Sequence, residues 1–141
     1  MERERRQAQM TKSLSKHQEW VIEACEYAES CLNMFRAQFP EDDRPEMAVA
    51  MTRRWIVGSA NKEKLLTAYD DAYDAFEEAS ALALKCVQAD RDRYTAAFHA
   101  ARCALRALQA TLDPGLAAAS VREAAIEASL ALEFGEGLTS R

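Results

Sequence analysis

The chain interrupts its own helical periodicity at very few places, and those interruptions fix what it can become. Its four glycines, Gly58, Gly115, Gly135 and Gly137, all stand where a helix should end or begin. Pro40 and Pro45 lie five residues apart, and Pro114 sits in the turn Asp113-Pro114-Gly115. Proline donates no N–H and fits a helix only in its first turn, so the first pair stops one helix and starts another. Glycine-rich phosphate loops, dinucleotide-binding turns and nucleophile elbows all need clustered glycines, and this sequence has none.

The stretches between these breaks read as amphipathic helix. A first helix is expected from Lys16 to Gln38, with Ser15 as N-cap and Gln18 closing a capping box. Trp20, Val21, Ala24, Ala28, Cys31, Leu32 and Phe35 recur on it at three- and four-residue steps. A short second helix should begin near Pro45 and end at Gly58, with Met47, Met51 and Trp55 on its buried face. The third opens after Asn61 and carries Leu65, Leu66, Tyr69, Ala72, Tyr73, Phe76, Ala79 and Ala83 as one apolar stripe. Asp90-Arg91-Asp92 marks a break before a fourth stripe from Tyr94 to Leu112. A fifth helix follows Gly115, with Val121, Ala125, Ala128 and Leu132 inward. Short connections between long amphipathic helices imply an all-α, up-and-down bundle of about five helices with no sheet. The expected organisation is a charged arm over 1–14, one bundle domain over 15–134 and a flexible tail over 135–141.

Composition narrows the function classes. With 49% hydrophobic and 29% charged residues the chain has the makings of a core, and no apolar run is long enough to span a bilayer. The charged start lacks the apolar block of a secretory signal, so the expected location is the cytosol. A net charge of −5 disfavours nucleic acid as a partner. Cys25, Cys31, Cys86 and Cys103 show no Cys-x-x-Cys spacing and read as reduced residues within helices. No motif calls for a cofactor.

Two constellations carry charge in a pattern. Between Leu65 and Leu84 lie Asp70, Asp71, Asp74, Glu77 and Glu78, without a lysine or arginine. Asp71, Asp74 and Glu78 share a helical face, as carboxylates binding a divalent metal would, yet no matching group occurs on a second helix. An acidic docking face for a basic partner is the other functional reading. The second constellation is the corner Glu41, Asp42, Asp43 and Arg44, with Arg53 and Arg54 beyond it, where an arginine could brace the loop or meet a partner. His99 and Cys103 are one helical turn apart, but two ligands do not make a zinc site, and neither His17 nor His99 has an evident acid to orient it.

The run Pro40-Glu41-Asp42-Asp43-Arg44-Pro45, then Ala48, Arg53, Trp55 and Gly58, resembles the Pro-Asp-Asp-x-Arg-Pro…Ala…Trp…Gly pattern of a family of all-helical immunity proteins from bacterial polymorphic-toxin systems. The resemblance loosely covers residues 17–134 and implies a small cytosolic protein that binds a toxin domain and blocks it without catalysis. It carries over to Asp42, Asp43, Arg44, Pro45 and Trp55. Histidine-bearing alanine helices, expected in the second half, are represented only by His99. On this reading Glu41, Asp42, Asp43, Arg44, Arg53, Asp70, Asp71, Asp74 and Glu78 contact the partner, while Pro45, Trp55 and Gly58 shape the backbone. Two alternatives stay open: an all-α hydrolase of a phosphorylated substrate, with metal held by Asp70, Asp71, Asp74 and Glu78, and a homo-oligomeric scaffold pairing through exposed alanine stripes.

Overall fold

The computed structural model describes residues 15–139. It contains α1 (Lys16–Gln38), α2 (Arg44–Ile56), α3 (Lys62–Lys85), α4 (Gln88–Leu112), a 3-10 turn (Pro114–Leu116) and α5 (Ala117–Thr139). No strand occurs among the described residues. The charged arm expected over 1–14 lies outside them.

Two of the helices, α1 and α3, start where a side chain satisfies free N–H groups of the first turn. The Ser15 hydroxyl accepts from the Gln18 amide at 3.1 Å while the Gln18 side chain accepts from the Ser15 amide at 3.0 Å, completing the capping box. The Asn61 side chain caps α3 by accepting from the Lys64 amide. At the end of α2, Gly58 takes φ +79°, a conformation in which a Cβ is strained.

The expected break at Asp90-Arg91-Asp92 falls earlier, at Cys86-Val87, and those three residues belong to the first turns of α4. The reason is a side chain: Arg91 Nε donates to the Ala83 carbonyl, satisfying an open acceptor in the last turn of α3 from within α4. Downstream, α5 runs through Gly135, where the sequence suggested an end. There a Cβ would meet the thioether end of Met34, so Gly135 marks where α5 packs beside that side chain of α1.

α4 is the central rod, in contact with all four other helices. Alanine makes this possible. Ala96, Ala97, Ala100, Ala101, Ala104, Ala107 and Ala110 are all buried, and small residues let helix axes approach closely on several sides at once. The alanines of α3 and α5 also turn inward: Ala72, Ala75 and Ala79, and Ala117, Ala124 and Ala131, are almost wholly enclosed. Those stripes are used up within one chain, which removes the alanine-pairing basis of the scaffold reading.

α2 departs from the expected register. Its buried residues are Pro45, Ala48, Val49 and Thr52, whereas Met47 is 39% exposed and Met51 and Trp55 are half-buried. On α3 the single expected stripe divides likewise, with Leu65, Ala72, Ala79 and Ala83 inside but Leu66 and Tyr73 outside.

Candidate partner-binding surface

The corner between α1 and α2 is braced by its own charges. Asp42 folds its carboxylate onto Arg44, accepting from the Arg44 amide at 3.1 Å, from Nε at 2.9 Å and from Nη2 at 2.7 Å. Pro45 follows in the first turn of α2, where a missing N–H leaves no carbonyl unserved. Arg44 then reaches across to α3, where Nη2 lies 2.5 Å from Glu78 Oε2. Hydrogen bonds from Arg44 hold the Asp42 carboxyl below its ordinary range, and Asp42 first, then Glu78, raise the Arg44 guanidinium. The two charged regions singled out in the sequence therefore meet at one arginine.

Not every candidate joins them. Arg53 points to the other flank of α2, where it pairs with Glu29 of α1 at 2.5 Å, and Arg36 of α1 pairs with Glu46 nearby. Glu41 and Asp43 are exposed at the corner, and Asp70, Asp71 and Asp74 are exposed along α3. Trp55 sets its ring edge-on to His17, with centroids 5.0 Å apart, and the His17 Nε2–H donates to the Ala110 carbonyl. It thus packs α2 against the start of α1.

Between α2 and α3 runs a groove of about 540 Å³. Met47, Met51 and Ala68 supply its apolar surface, and Asp43, Glu63 and Asp71 stand on its rim beside Arg44 and Lys64. Recurrence once per turn predicts both methionines on the buried face of α2. What periodicity could not show is that α2 is narrow: Ala48, Val49 and Thr52 already fill its inward face, leaving the methionines on a shoulder.

A second charged cluster escaped the sequence reading altogether. Glu127 of α5 is 6% exposed and lies 2.5 Å from His99 Nδ1 and 3.3 Å from Arg102 Nε, both on α4. His99 thus has an acid to orient it, contrary to the expectation. Its ring lies against Phe98, at a centroid distance of 4.1 Å, and parallel to Phe134. Cys103, one helical turn from His99, donates its thiol to the Ala124 carbonyl. Glu127 lies three residues after Ala124 and four before Ala131, on the face of α5 that these two buried alanines share. Among the described residues no three His, Cys, Asp or Glu side chains converge as a metal site would require.

Residues 10–111 match the family described as Imm-5 like putative immunity protein. The chain belongs to that family. The match takes in the Asp42-Asp43-Arg44-Pro45 corner, the acidic face of α3 and almost all of α4, and it ends before α5. The Imm-5 like assignment agrees with the all-helical fold and points to a protein partner. No curated protein and no solved structure matches the chain. No helix among the described residues is long and apolar enough to cross a membrane.

Proposed function

We propose that this protein is a non-catalytic immunity protein of the cytosol that binds a toxin domain and blocks it. Membership of the Imm-5 like family supports the class of function. The observation that carries the choice of surface is the Arg44 bridge, which joins the Asp42 corner to Glu78 and so makes one continuous charged face out of two sequence-distant segments. A face held this way loses little freedom on binding, because its side chains are already ordered. Glu41, Asp43, Asp70, Asp71 and Asp74 extend it outward.

The hydrolase alternative draws no support from this arrangement. It needs Asp70, Asp71, Asp74 and Glu78 to converge on an ion, whereas Glu78 is engaged by Arg44 and the other three are exposed.

The test is co-expression with a toxin domain encoded beside this gene. Restored growth and co-purification are expected, with both weakened by the combined changes Asp71→Lys and Asp74→Lys. If the toxin stays lethal and unbound with the unaltered chain, the reading is wrong.

A further inference from the structure

The α2–α3 groove combines an apolar floor with a charged rim. Its floor is methionine, a side chain that adapts to differently shaped apolar groups. Its rim is unevenly charged. Arg44 is already engaged by Asp42 and Glu78, whereas Asp43, Glu63 and Asp71 have no ionic partner among the described residues, leaving Lys64 as the only other cation there. Beyond the rim, Asp70 and Asp74 extend the negative field along α3. Asp43 also makes no side-chain bond to the helix it precedes, so its carboxylate is available to a ligand.

We propose that this groove takes a basic amphipathic segment of the partner protein. An apolar side chain of the segment seats between Met47 and Met51, and its lysines or arginines meet Asp43, Glu63 and Asp71. This rests on the binding role proposed above and names the chemistry of the partner at that surface. An apolar strip flanked by charge opposite to the rim is how a helix lying in a groove gains both affinity and register.

The methionines provide the readout. In the full chain labelled with ε-¹³C methionine, the Met47 and Met51 methyl signals report the groove, and Met34, packed beside Gly135, is a remote reference. A synthetic leucine–lysine helix is the probe, and its leucine–glutamate counterpart the control. The lysine peptide is expected to move Met47 and Met51 saturably and leave Met34 in place, while the glutamate peptide moves none. The double variant Asp43→Lys, Asp71→Lys should weaken the lysine peptide by about tenfold or more with the Met34 signal unchanged.

Equal response to both peptides overturns the proposal, as does lysine-peptide binding that bypasses Met47 and Met51. So does movement of these signals, without peptide, when Arg3, Arg5 and Arg6 are replaced by glutamine, because the chain's own arm is then the occupant. A toxin domain that binds without moving Met47 or Met51 removes this inference and leaves the immunity role standing. Peptide binding without any toxin binding does the reverse.

Discussion

The α4–α5 seam and the α2–α3 flank are built by opposite means. In the seam, alanines such as Ala104, Ala107, Ala124 and Ala131 are fully enclosed, and two acids of α5 pair with α4, the buried Glu127 with His99 and Arg102 and the exposed Glu123 with Arg106. On the flank, α2 is thirteen residues long, is tied to its neighbours by Arg53–Glu29, Arg36–Glu46 and Arg44–Glu78, and leaves a groove over Met47 and Met51. Close helix approach consumes surface, whereas ion pairs between longer side chains leave room. On the function proposed above, stability and recognition fall to different sides of the same bundle.

If that division holds, substitutions should fall in a definite order. Ala124→Leu pushes three extra carbons into a fully enclosed site and should lower the unfolding free energy by about 3 kcal/mol in urea titration. A loss as small as that of a surface change would show that the seam is loose. Glu127→Ala leaves His99 and Arg102 without their shared acceptor and should cost about 2 kcal/mol by the same measurement.

Arg44→Ala should cost less, about 1 kcal/mol, because Glu78 is 59% exposed and water screens that half of the bridge. Its effect should also depend on pH. Arg44 holds the folded Asp42 pKa below the unfolded one, so the stabilisation is complete above about pH 4 and fades as pH falls through the lowered folded value. The unaltered chain and Arg44→Ala should therefore converge in acid; a gap that widens below pH 4 would contradict the assignment. Met47→Ala should be the mildest, within about 0.5 kcal/mol in stability, yet should weaken partner binding. A large stability loss there would place Met47 in the core after all.

Much of this fold was legible in the sequence because its signals are local. Ser15 with Gln18, Asn61, Pro45 and Gly58 act within a turn or two of themselves, and each stands at a helix end in the structure. What stayed hidden depends on which helix lies beside which. Met47 and Met51 repeat like core residues, and only the placement of α3 leaves them lining a groove. Arg91 looked like part of a break because its acceptor, the Ala83 carbonyl, sits on the preceding helix. Glu127 drew no notice because its partners lie on α4, more than twenty residues earlier. The link between the Asp42 corner and Glu78 spans α2 and the first two-thirds of α3, beyond the reach of any periodicity.

The enclosed thiols have a practical consequence. Cys25, Cys31 and Cys103 are fully covered; burial pushes the Cys25 thiol up to about 12, and contact with Cys31 together with burial raises that of Cys103. Cys86, at the bend before α4, is only partly covered. A maleimide added to the native chain should consume one equivalent quickly, and the remaining three at the rate at which the rods separate. The protein thus carries a built-in stopwatch for its own breathing, and binding of the proposed toxin partner should slow it wherever the complex clamps those rods together.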